Sequence, residues 1–143
     1  MLKIQKNVSL KKFTTFALGG PAKFFTEAFT QSNLIQAINF AKENDLPYFI
    51  LGGGSNLLIS DAGFPGLVIK NGIAGIKQKN QSVVVGSGTI LQELVNFTIR
   101  NHLAGMDKLY GIPGTVGGAI FGNAGAYGQT ISDYITRVLI FDP

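Results

Sequence analysis

The chain has 143 residues, 45% of them apolar and 14% charged, with 19 glycines, no cysteine and a net charge of +4. That balance excludes intrinsic disorder, and the missing cysteines exclude both a disulfide framework and thiolate chemistry. No apolar run approaches bilayer-spanning length, residues 1–10 hold nothing like a signal peptide, and no basic stripe is interleaved with aromatics, so neither membrane insertion nor nucleic-acid binding is expected.

A cytoplasmic protein is the default for such a chain, and its scattered lysines (Lys3, Lys6, Lys11, Lys12) suit an anionic ligand. Taken in order, residues 22–29 ("AKFFTEAF") predict a strand. Leu34, Ile35, Ile38 and Ala41 then recur at helical spacing, with Ser32 as the expected N-cap and Pro47 ending the unit. Residues 48–51 predict a short buried strand, and residues 66–70 and 81–88 two more. Thr89 and Gln92 have the spacing of a capping box, opening a helix whose apolar face is Leu91, Leu94, Val95 and Ile99. A glycine-rich segment, 105–128, precedes a last expected strand over 134–141. A hairpin partner would ordinarily follow that strand, so the chain reads as cut short.

Two segments concentrate the chemistry. The first, "GGGSN" at 52–56, follows a strand, where a glycine turn can aim several backbone N–H groups at one anion. Ser55 and Asn56 add side-chain donors, and the anion that suits them is a phosphate or diphosphate. Leu57 stands where the dinucleotide fingerprint needs its third glycine, "GSGTIL" at 86–91 fails in the same way, and no Walker lysine exists. On these residues alone the turn is either an ordinary tight turn or an anion site. The second segment is "GIPGTVGGAIFGNAGAYG", 111–128, with seven glycines in eighteen residues. So many glycines argue against a regular helix. A flexible linker would leave Ile112, Val116, Ile120, Phe121 and Tyr127 in water. A loop against an extended ligand and a crossing between lobes both remain open, the ligand loop being favoured.

The lone histidine, His102, stands at a predicted helix end, where pairing with the helix dipole is the usual role. Arg100 and Arg137 read as solvated, and Asp61 and Asp107 are isolated carboxylates, so neither an acid/base pair nor a metal site is expected.

Three segments, "TTFALGGPAKFF" (14–25), "LGGGSNLLISDAGFPGLVIK" (51–70) and the 111–128 run, together resemble the N-terminal flavin domain of the UDP-N-acetylenolpyruvoylglucosamine reductase family. The first two also suit the wider vanillyl-alcohol-oxidase and p-cresol-methylhydroxylase type. The resemblance implies an α/β (α+β) FAD-binding domain of two small lobes, about 1–72 and 73–143, with FAD between them. The second lobe would be incomplete and the substrate domain absent. It implies that Gly52, Gly53, Gly54, Ser55, Asn56 and Leu57 hold the FAD diphosphate. Gly111, Ile112, Pro113, Gly114, Thr115, Gly117, Gly118 and Ala119 would line the rest of the cofactor, with Asn123, Gly125, Ala126, Tyr127 and Gly128. The family reaction implied is reduction of FAD by NADPH, then hydride transfer to UDP-N-acetylglucosamine enolpyruvate, giving UDP-N-acetylmuramate for peptidoglycan. The family's catalytic arginine, serine and glutamate have no matching position, so no catalytic residue is carried over and the chain alone is expected to be inactive. A non-catalytic flavin-binding fragment and a flavin-dependent oxidase are the alternatives.

Overall fold

Alternation of side chains builds the centre of the first unit. In the computed structural model, which describes residues 2–142, Leu67 and Ile69 of strand β4 (Phe64–Asn71) join one apolar cluster and Val68 between them joins another. Strands β1 (Gln5–Ser9), β2 (Pro21–Ala28) and β3 (Tyr48–Leu51) complete a sheet of order β1-β2-β4-β3. β1 is antiparallel to β2, whereas β2 and β3 both run parallel to β4. A register irregularity between Ala22 and Phe24 switches the facing of β2, so Ala22 and Phe25 share one cluster despite their odd spacing.

Helix α1 (Gln31–Glu43) lays Ala37, Ile38 and Ala41 on Ala28, Leu67 and Ile69. Its N-cap is Thr30 rather than the expected Ser32. Thr30 is extended and its hydroxyl accepts the Asn33 N–H at 3.1 Å, while Ser32 lies inside the first turn and accepts from the Gln36 amide. Such a cap contributes about 1 kcal/mol. The helix stops before Pro47 in a Schellman turn. Asp45, at φ 49°, sends its N–H to Lys42, and Leu46 sends its own to Ala41. β3 is an edge strand, so only Leu51 is buried, and Phe49 and Ile50 are more than a third exposed, contrary to the buried strand expected.

The first unit runs to Ile73 and also takes in Phe141 and Asp142, and the second is Ala74–Ile140. The second opens with a hairpin of β5 (Ile76–Lys79), which the sequence did not disclose, and β6 (Ser82–Val85), turning at Asn80. Helix α2 (Leu91–Arg100) buries Leu91, Leu94 and Val95 as expected, but Thr98 rather than Ile99 completes the face. The expected capping box does not form. The Thr89 hydroxyl bonds the Gly75 backbone, and the Gln92 amide oxygen accepts the Gly111 N–H, leaving Ile90 at the N-cap. α2 ends in a second Schellman turn with His102 at φ 55°, so the lone histidine is a chain-reversal residue.

The 111–128 segment overturns the expectation that its glycines forbid a helix. Helix α3 (Val116–Phe121) lies inside it, because Thr115 caps the helix and Val116 and Ala119 are buried with Leu91, Leu94, Val95, Met106, Leu109 and Ile131. Tertiary burial there outweighs propensity. A small hairpin, β7 (Gly125–Ala126) and β8 (Gln129–Thr130), turns through Tyr127 and Gly128, and a 3-10 turn follows at Ile131–Tyr134. The strand expected over 134–141 does not form. Among the described residues no strand lies beside it, and without a partner its N–H and C=O groups gain nothing from extending. Leu139 and Ile140 are largely exposed.

Candidate cofactor site

In the first unit β3 delivers the chain into residues 52–56. Leu51 is fully buried and pairs in register with Lys70 on β4, which in turn pairs with Glu27 on β2. The glycine turn therefore starts at the carboxyl ends of parallel strands, where open α/β sheets bind ligands. The Lys70 ammonium donates a hydrogen bond to the Gly52 carbonyl. Burial pulls the Lys70 pKa below its ordinary value, and the charge of Glu27 partly restores it.

Gly54 is bare for a reason within the chain itself. Its φ is +71°, its carbonyl accepts the Thr15 N–H at 3.2 Å, and a Cβ there would lie 1.9 Å from the Phe13 carbonyl oxygen. Thr14 and Thr15 begin the first of the three resembling segments, and the buried Thr14 fastens that segment by donating to the Leu18 carbonyl at 2.9 Å. Leu57 packs on the cluster of Leu10, Phe25 and Leu51 and anchors the far end of the turn. Between these anchors Gly52, Gly53 and Ser55 are half-buried and Asn56 is exposed. Among the described residues no acceptor meets the N–H of Gly53, Gly54, Ser55 or Asn56. Free donors on a pinned turn fit an anion such as a diphosphate.

In the second unit the other glycine segment folds onto the turn before α2. The Val116 N–H donates to Thr89 at 2.8 Å, the Gly117 N–H to Ser87 at 2.7 Å, and the Leu91 N–H to Gly114 at 2.9 Å. A Cβ at Gly117 would come within 2.9 Å of the Ser87 carbonyl, so this glycine too answers to the chain's own backbone. Thr115 is buried and its hydroxyl accepts the Gly118 N–H at 3.3 Å. Ala119 is buried as well, so these two side chains serve the unit's core. Gly111, Pro113, Gly118, Asn123, Gly125, Tyr127 and Gly128 are exposed, and Ile112, Gly114, Gly117 and Ala126 half-buried. Asn123 spends its side-chain oxygen on the Ser132 N–H. Phe121 and Tyr127 stand 97% and 84% exposed, which is an apolar surface offered beside bare backbone. Lys70 and Thr14 are the residues that the sequence reading did not single out. The signal for Lys70 was a cation closing an apolar strand whose neighbour runs into the glycines.

The fold and the pinned donor turn define a class: the chain belongs to the FAD binding domain family, which matches residues 22–143. Within that class it is similar to named reductases. It is 40% identical over 141 residues to a UDP-N-acetylenolpyruvoylglucosamine reductase of Solibacter usitatus, covering 99% of this chain and 45% of that protein. The reductase of the same name from Protochlamydia amoebophila is 44% identical over 96% of this chain and 46% of its own length. Among solved structures, the UDP-N-acetylenolpyruvylglucosamine reductase of Thermus caldophilus superposes with a TM-score of 0.76 at 37% identity, over 93% of this chain and 47% of that one. The chain thus spans just under half the length of these relatives.

Proposed function

We propose that the chain is the FAD-holding portion of an NADPH-dependent UDP-N-acetylenolpyruvoylglucosamine reductase, which forms UDP-N-acetylmuramate from UDP-N-acetylglucosamine enolpyruvate. That places it in the cytoplasm, in peptidoglycan synthesis and hence in cell shape and division. The observation that carries the reading is the anchored turn at 52–56, whose N–H groups at 53–56 meet no acceptor among the described residues, in a chain similar along nearly all its length to such reductases. FAD, when bound, supplies the hydride chemistry that no side chain can. The chain's part is to hold it. The N–H groups of residues 53–56 receive the diphosphate, and Gly54 and Leu57 keep the turn from relaxing. Exposed backbone at Gly111, Pro113, Gly114 and Gly118, with Asn123, Gly125 and Tyr127, borders the rest.

Gly53→Val tests this. It places a branched side chain in the half-buried turn and leaves the anchor residues Gly54 and Leu57 unchanged. Flavin retention, read from the visible flavin absorbance, is expected to collapse while far-UV circular dichroism stays native. Equal retention by variant and parent would overturn the diphosphate assignment.

A further inference from the structure

Lys70 lies outside the glycine turn at 52–56, yet its side chain ends on it. Its Cα pairs with Leu51, the last residue before the turn, and its ammonium donates to the carbonyl of Gly52, the first residue of the turn. A trans peptide is planar, so its C=O and N–H point in opposite directions. Holding the Gly52 oxygen toward Lys70 therefore directs the N–H of Gly53 away from Lys70. That N–H is the first of the four donors without an acceptor among the described residues. The ammonium itself has three N–H groups, and the Gly52 carbonyl takes one.

We propose that Lys70 is a positioning residue for the diphosphate turn: it sets the Gly52–Gly53 peptide so that the Gly53 N–H faces the ligand. The assignment rests on the FAD reading above and goes beyond it, because it gives diphosphate affinity to a strand residue outside the loop. Two influences act on the Lys70 ammonium in the structure. Glu27, in register on β2, favours the ammonium form, and half-burial of the side chain opposes it. An ammonium held in a partly desolvated place grips the carbonyl it faces more strongly than a solvated one does, and a carbonyl so polarised makes the N–H of the same peptide a better donor. Lys70 as a plain strand residue that happens to reach a carbonyl predicts something different. It would influence folding stability and leave ligand discrimination untouched.

The experiment titrates the chain with FAD and with riboflavin, which carries the same ring but no diphosphate, following flavin fluorescence. Lys70→Met is expected to weaken FAD binding about tenfold or more, the effect of losing a charge-assisted partner. Riboflavin affinity is expected to stay as in the parent. Lys70→Gln keeps a donor for the Gly52 carbonyl without the charge and is expected to fall between the two; it also carries the test if the methionine variant does not fold. FAD binding by Lys70→Met and Lys70→Gln equal to that of the parent overturns the role of Lys70 alone. So does an equal loss of FAD and riboflavin, which marks a general structural effect. A parent chain that binds no FAD is a distinguishable result, because it overturns the FAD reading and this assignment with it.

Discussion

Tyr134 shows how one side chain ties together a glycine-rich unit. Its hydroxyl lies 2.6 Å from the Gly105 carbonyl and beside the Gln129 amide, linking the Ile131–Tyr134 turn to the Met106–Leu109 turn that Gly105 precedes. Burial raises its pKa above 10.0, and Asp133 and Asp107 add to the rise. The sign follows. A raised pKa means that the unfolded chain loses this proton first, so the bond's contribution is complete below pH 10.0 and is lost as pH climbs through the folded value. Lys70 works oppositely, since its lowered pKa lets the unfolded chain keep the extra proton, and stability rises with pH across its own window. Comparing parent with Tyr134→Phe cancels the lysine. The variant is expected to lose about 1 kcal/mol at neutral pH, and the gap is expected to close above pH 10 in thermal melts. A gap constant with pH would show that the hydroxyl's ionisation is uncoupled from folding. Residues of this kind were the least legible in the sequence. A tyrosine's partner twenty-nine positions away leaves no local trace, and neither does the grip of Lys70 on Gly52.

Elements were legible where periodicity was strong, even where their caps were contested. Leu91, Leu94 and Val95 of α2 and the strand at 48–51 come out at their expected places. The caps mislead because several hydroxyls compete. Thr89 and Gln92 have capping-box spacing but are taken by Gly75 and Gly111, whereas the box that does form, Thr130 with Asp133, has the same spacing in "TISD". The glycines mislead for a related reason, since one excluded by a ligand and one excluded by the chain's own backbone look alike in sequence. Gly54 against Phe13 and Gly117 against Ser87 belong to the second kind. α3 offers a way to separate the two. At Gly118 a Cβ would meet only the Thr115 hydroxyl, at 3.4 Å, and the site is exposed. Nothing in the protein asks for glycine there. Gly118→Ala is therefore expected to raise the melting temperature without flavin, as glycine costs a helix up to about 1 kcal/mol relative to alanine. If Gly118 borders the cofactor, the same change is expected to shrink the stabilisation that added FAD gives. A variant that gains stability and keeps the full FAD-induced shift would remove Gly118 from the cofactor wall.

At the scale of the whole chain the cofactor class was legible because three glycine-bearing segments occur together in order, and the residues that would finish the chemistry are not evident among those described. His102 is committed to a left-handed turn, and no three His, Cys, Asp or Glu side chains gather among the described residues. Arg100 and Arg137 are exposed. Reduction of an enolpyruvyl group needs more than a hydride, because the charge that develops must be stabilised and a proton delivered. Positioned acids and oxyanion donors commonly supply about 10² to 10⁴ each. The chain, assayed alone, is therefore expected to bind FAD yet to turn over UDP-N-acetylglucosamine enolpyruvate at least a thousandfold more slowly than a reductase of the relatives' full length, roughly one or two such groups' worth. Reduction of bound flavin by NADPH depends chiefly on alignment and is expected to lose less. Steady-state NADPH oxidation with and without the enolpyruvyl substrate, run beside the Solibacter usitatus enzyme, measures both. Turnover by the 143-residue chain at the longer enzyme's rate would mean that the residues completing the reaction lie within it, and Lys70 and Tyr127 would then be the first side chains to replace.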